Sequence, residues 1–273
     1  MTMPYTCRDI CAQVDVFAPP RYALEGDPIG LHLGSPGQEV RRLFLALELT
    51  PEVAREAMDS RPDMIIVHHT PFFKPFKQML DDEGHDRIVL ELIRGKIALF
   101  TAHTNLDCVR GGVNDALARR LGVLDAEILQ PLNQYVAEAG LGRIGRLKAP
   151  MALSAFVSFA ERELSAVGMR YCGERDRRIQ KVAVCGGAGA FLMEEALAKG
   201  ADAFVTADVK HHEGVQALEL GLALIDGGHF ATENPVIAVL AAHLKESLPD
   251  LAITISTLHA DPFTTKEERF PYE

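Results

Sequence analysis

Apolar residues along this chain fall in short blocks, and the stretches between the blocks carry helical spacing. RLFLALEL (42–49) reads as a buried strand. Thr50, Pro51 and Glu52 follow it with a hydroxyl cap, a proline at the first helical position and an acid in the first turn, which predicts a helix over PEVAREAMDSR. The alternation continues with a strand PDMIIVHH (62–69), a helix HDRIVLELIRG (85–95), a strand KIALFTAH (96–103) and, after Gly111 and Gly112, a helix VNDALARRLG. The second half is written in the same order. It has a strand KVAVCG (181–186), a glycine-rich turn, a helix FLMEEALAKG (191–200), a strand ADAFVTADVKHH (201–212), a helix GVQALELG, a strand LALIDGGH (222–229) and a helix ENPVIAVLAAHLKE.

Strands alternating with helices of this length imply parallel sheet covered on both faces and reached by right-handed crossovers. The expected fold class is α/β, as two similar three-layer α/β lobes, interlinked, with a metal site in the cleft between them. LQPLNQYVAEAGLGRIGRLKAPM, rich in Gly, Pro and polar residues, sets a soft boundary near 128–150, and MALSAFVSFAERELSAVG (151–168) reads as a helix opening the second half. LAITIST (251–257) is one more strand, expected to return to the first half. The first lobe is therefore taken as 1–128 completed by 234–273, and the second as 129–233.

The polar residues fall at the carboxyl ends of these strands, where parallel α/β sheets gather their ligands. The second strand of each half ends in a histidine pair, His68–His69 and His211–His212, and the third in a histidine followed four residues later by an acid, His103–Asp107 and His229–Glu233. Imidazole and carboxylate without thiolate suit catalytic zinc, iron, manganese or cobalt rather than a structural zinc. His68, His69, Asp107, His229 and Glu233 exceed what one tetrahedral ion needs, so two divalent ions are expected, with Glu233 able to bridge them. Adjacent histidines on a strand should point to opposite faces, but that objection weakens at its last residues, where the chain leaves the pleat. His211 and His212 have a blander reading as a solvated helix start, with Asp208 a loop cap. The GGAGA turn (186–190) lacks the spacing and lysine of a phosphate loop and reads as a tight strand-to-helix turn.

Composition narrows the partners. A length of 273 residues suits one large domain or two closely packed ones, and 48% hydrophobic with 24% charged residues is ordinary for a soluble globular chain. A net charge of −10 offers no basic stripe for a phosphate backbone, so nucleic acid is disfavoured and an anionic ligand would need a metal or a local basic patch. No leader-like or membrane-spanning segment is read from the sequence, and the cytoplasm is the expected compartment. Five scattered cysteines without a CxxC pair argue against a disulfide framework; Cys7 and Cys11 on a probable helix, and Cys108, are read as packing residues.

VHHTPFF (67–73), AHTNLDCVRGGVNDALARRLG (102–122), TADVKHH (206–212) and IDGGHFATE (225–233) together resemble the Nif-three-like family, often labelled GTP cyclohydrolase 1 type 2. The resemblance spans nearly the whole chain. It implies that His68, His69, Asp107, His229 and Glu233 bind two divalent metals and that the subunits form a homo-oligomer, a toroidal hexamer. GDPIGLHLG (26–34) departs from the family's usual Asn-Gly-Leu-Gln stretch at Ile29 and His32. The function expected is a metal-dependent hydrolase acting on a nucleotide or pterin-like small molecule, with His103 and Glu233 as catalytic residues, His103 passing the proton. The alternative is a non-enzymatic metal-binding, delivery or scaffold protein.

Overall fold

The computed structural model describes residues 4–73, 79–81, 84–258 and 260–263. The chain is mixed α/β and divides into two compact units, Met1–Val109 with Ile237–His259, and Arg110–Val236 with Ala260–Glu273. Residues 264–273 lie outside the described residues.

The first unit is built on a five-stranded sheet in the order Ala252–Ile255, Arg42–Ala46, Met64–Val67, Ala98–Thr101, Gly30–Leu33. Its first four strands are parallel and the last is an antiparallel edge. On one face Phe44, Ala46, Ile65, Val67 and Leu99 pack against Val53, Ala54 and Ala57 of the helix Pro51–Ser60 and against Ile88 and Leu92 of the helix Gly84–Arg94. The alternate residues Leu43, Leu45, Met64, Ile66 and Phe100 are equally buried, as a sheet covered on both faces requires. The helix start read at Thr50 is in place, its hydroxyl accepting from Val53 N at 3.2 Å.

The second unit holds a six-stranded sheet in the order Val123–Asn133, Val136–Ala152, Arg178–Val184, Ala203–Thr206, Ala223–Asp226, Arg170–Cys172. Only its three successive strands Arg178–Val184, Ala203–Thr206 and Ala223–Asp226 are mutually parallel. Val182, Val184, Ala203, Val205, Ala223 and Ile225 face the helices Val113–Arg120 and Leu153–Leu164, while Ala183, Cys185, Phe204 and Leu224 join a second core with Leu192, Met193 and Ala196.

These sheets correct the expectation of purely parallel ones, since both carry antiparallel edges. The segment 128–150 differs most. It lies within the unit's two longest strands, paired antiparallel. Its glycines are strand residues because the neighbouring backbone comes too close for a side chain. A Cβ on Gly140 would run into Gln130 O and lie 2.7 Å from Pro131 Cα, and one on Gly145 would run into Leu124 O. The helix Val113–Arg120, read as closing the first half, puts Leu117 and Ala118 into the second unit's core.

The two units repeat each other in detail. Leu43, Met64 and Ala98 sit on one rung, as do Val182, Ala203 and Ala223. Asp63 Oδ2 accepts from Arg41 N and Arg42 N, both at 2.9 Å, and Asp202 Oδ2 accepts from Gln180 N and Lys181 N, both at 2.8 Å. In each unit an antiparallel edge strand lies beside the third parallel strand. By this register Val67 is equivalent to Thr206 and Thr101 to Asp226 in the repeat, so that His68–His69 correspond to Ala207–Asp208 and His103 to Gly228.

Candidate metal centre

In the first unit, the strand Met64–Val67 ends where Leu47 O accepts from both His68 N (3.0 Å) and His69 N (2.7 Å). Two successive amides turned to one carbonyl break the pleat, so the adjacent imidazoles are not driven to opposite faces; their ring centroids are 4.9 Å apart. His68 is buried, and its Nδ1 donates to Ala102 O at 2.8 Å. That bond fixes the tautomer, leaving the Nε2 lone pair to face Asp107 Oδ1 at 3.5 Å. A proton or a cation between the two would turn their repulsion into attraction. His69 Nδ1 lies 3.6 Å from Glu48 Oε2.

His103 immediately precedes the short helix Thr104–Cys108, which carries Asp107. Its Nδ1 donates to Asp27 Oδ1 at 2.8 Å, and Asp27 also accepts from Thr104 N at 3.0 Å and from the Thr104 hydroxyl. Burial opposes ionisation of Asp27, but these donors outweigh it and hold its carboxyl at about 2. His68, His69 and His103 each offer a ring nitrogen, and the three lie within 4.8 Å of one another.

In the second unit, Gly227 and Gly228 lead from the strand Ala223–Asp226 into the helix His229–Glu233, where i,i+4 spacing puts His229 Nε2 3.1 Å from Glu233 Oε2. His229 Nδ1 is 2.7 Å from Asp208 Oδ2. The Glu233 carboxylate above all, with Asp208 in support, overrides burial and raises the His229 pKa to about 9. The GGAGA turn is no anion cradle. Gly186 N donates to Asn114 Oδ1, Gly187 N to Thr232 Oγ1 and Gly189 N to Thr206 Oγ1, so these amides already serve the fold.

His68, His69 and His103 in the first unit, and His229 beside Glu233 in the second, are nitrogen and oxygen donors of the kind that could hold a divalent cation, with no thiolate among them. His211 and His212 are not strand-end residues. The strand stops at Thr206, and they are the exposed first residues of the helix His211–Leu220, which starts early because Glu213 accepts from Lys210 N at 2.7 Å. The sequence reading missed Asp27, Glu48 and Asp208 as partners of His103, His69 and His229. Asp208 carried a faint signal, being an acid just past a strand end, and it has φ +54°, a conformation Asp tolerates. The two His-x₃-acid groups also stand one residue out of step, since His103 precedes its helix and His229 begins one.

The chain is thus a mixed α/β protein whose parallel strands end in imidazole and carboxylate groups that could hold a metal ion. Residues 5–262 match the family model Duf34/NIF3 (NGG1p interacting factor 3). The chain belongs to this family. It is 33% identical over 268 residues to a GTP cyclohydrolase 1 type 2 homolog of Clostridium acetobutylicum, covering 97% of this chain and 100% of that one. A homolog of the same name from Streptomyces coelicolor is 34% identical, covering 94% and 93%. Among solved structures, a Bacillus cereus protein related to NIF3 superposes with a TM-score of 0.91 at 26% identity, covering 97% of this chain and 100% of that one.

Proposed function

We propose that this protein is a dinuclear, divalent-metal-dependent hydrolase acting on a nucleotide or pterin-like small molecule, with His68, His69, Asp107, His229 and Glu233 holding the ions. The observation that carries the reading is His68. A buried imidazole with Nδ1 committed to a carbonyl and Nε2 facing a carboxylate at 3.5 Å is a metal ligand's arrangement. The names of the relatives support the substrate class, and the family resemblance supports the set of five.

Two such ions would supply Lewis acidity toward substrate and water. The chain's own residues divide the remaining work. Glu233, buried beside His229, would hold metal through its carboxylate. His103, its Nδ1 tied to Asp27, presents Nε2 for proton transfer, a contribution typically worth about 10²–10⁴-fold in rate.

The test loads purified protein in turn with zinc, manganese, iron and cobalt and measures release of formate or phosphate from a nucleotide and pterin panel. Turnover is expected with at least one ion. Glu233→Ala should lose most of both metals, and Asp107→Ala roughly one equivalent. Tight binding without turnover across the panel would mark a metal-delivery protein instead. Full metal content in the Glu233 variant would overturn the bridging role.

A further inference from the structure

Gly187 has no side chain to offer a metal, yet it bounds the space that the Glu233 carboxylate occupies. A Cβ built on it would collide with Glu233 Oε1, lie 3.1 Å from Glu233 Cδ and 3.2 Å from His229 Nε2. The residue has φ +63°, so the turn also asks for glycine on backbone grounds. Gly187 is held where it is: its N–H donates to Thr232 Oγ1 at 3.1 Å, one residue before Glu233, and its carbonyl accepts from Thr206 Oγ1 at 2.8 Å and Ala207 N at 2.8 Å. These hydrogen bonds hold the turn, so the displacement would fall on the Glu233 carboxylate, the far end of a side chain.

We infer that Gly187 is a positioning residue for metal binding: the absence of a side chain there leaves room for the Glu233 carboxylate to stand beside His229 Nε2. A methyl group at 187 would displace the carboxylate while leaving the strands and both cores untouched. The inference rests on the reading of Glu233 and His229 as ligands of a divalent cation and adds a residue that neither the sequence nor the donor set identifies.

The experiment compares Gly187→Ala with Gly221→Ala. Gly221 has nearly the same backbone, φ +69°, but a Cβ there meets nothing within 4 Å, so it reproduces the backbone strain without the collision. Metal stoichiometry and affinity for zinc and manganese are measured by calorimetry and elemental analysis, together with the thermal midpoint of the metal-free protein and its circular dichroism. Both variants should fold, with similar losses in midpoint. Gly187→Ala should bind metal at least about 10-fold more weakly than Gly221→Ala, in the range typical of disturbed ligand positioning. Equal affinity in the two variants, while Glu233→Ala still strips the metal, would overturn the role of Gly187 alone. Metal binding unchanged in Glu233→Ala would overturn the ligand reading itself, and this inference with it. If Gly187→Ala is too unstable to compare, Gly187→Asn against Gly221→Asn decides, because asparagine tolerates a positive φ while its Cβ at 187 meets the same carboxylate; equal metal affinity in the two Asn variants overturns the role of Gly187.

Discussion

At the scale of single residues, three of the candidate histidines each have an acceptor behind the ring. His68 has a carbonyl at Nδ1, His103 has Asp27 and His229 has Asp208. A carboxylate behind an imidazole raises its basicity and fixes which nitrogen faces forward. The partners therefore predict two different outcomes. Asp208→Ala removes the group that orients a proposed ligand and should weaken metal binding about 10–100-fold with the fold intact. His103→Ala removes a proposed proton carrier that the family resemblance leaves outside the five ligands, and should keep the metal while turnover falls about 10²–10⁴-fold. Measuring stoichiometry and rate on the same preparation separates them. Loss of metal in His103→Ala in proportion to activity would make it a sixth ligand. Full activity with full metal would return it to a structural histidine.

At the scale of elements, the strand Ala252–Ile255 shows how a late segment is fastened to an early sheet. It pairs in parallel with Arg42–Ala46, and just beyond it Glu56 accepts from Ser256 Oγ at 2.5 Å, Thr257 N at 2.8 Å, Thr257 Oγ1 at 2.6 Å and Leu258 N at 3.3 Å. Burial opposes ionisation of Glu56, but these donors bring its pKa from 4.5 to about 2. A depressed folded-state pKa stabilises the fold above the unfolded value, and that stability is lost as pH falls from about 4.5 towards 2. Discounted for partial exposure, the contribution at neutral pH is about 1–2 kcal/mol. Glu56→Gln should cost about that much in urea unfolding at pH 7, with the two curves converging near pH 2. A constant difference across that range would refute the assignment. The return of this strand was legible in LAITIST, because an isolated apolar run must pair somewhere. Glu56 was not, because an acid on a helix carries no mark of what it will cap two hundred residues later.

The same limit explains the hairpin Val123–Asn133 and Val136–Ala152. Its glycines read as a boundary, since spacing shows a missing side chain but not the neighbouring backbone that excludes one. The central strands were legible because both faces are buried, which leaves continuous apolar runs such as MIIV and AFVT. The antiparallel edges, Gly30–Leu33 and Arg170–Cys172, were not, because four or three partly exposed residues give no periodicity to read. Ligand candidates were legible for a related reason. Histidines and acids stand out against apolar strand ends, whereas the acids behind them look like any loop residue.

For the whole molecule, the internal repeat is one of backbone and not of chemistry. Both units keep the aspartate that ties the second parallel strand to the first, yet where one has His68–His69 the other has Ala207–Asp208, and where one has His103 the other has Gly228. Duplicated scaffolds have thus acquired different donors, which is why matching histidine pairs by sequence overstated the symmetry. No helix among the described residues is long and apolar enough to cross a membrane. The single chain leaves Tyr135 84%, Phe191 66% and Leu218 57% exposed, apolar surface that a larger assembly could cover. Repeated identical subunits normally close into a point group, and the family resemblance favours six. With a subunit of 29.9 kDa, light scattering of the purified protein should return about 180 kDa. The mass should be the same with and without metal, because the donors within each unit are already arranged by that unit's own hydrogen bonds. A mass near the 29.9 kDa subunit at micromolar concentration would refute the hexamer, and a mass that collapses on chelation would show that metal, rather than the subunit surface, holds the assembly together.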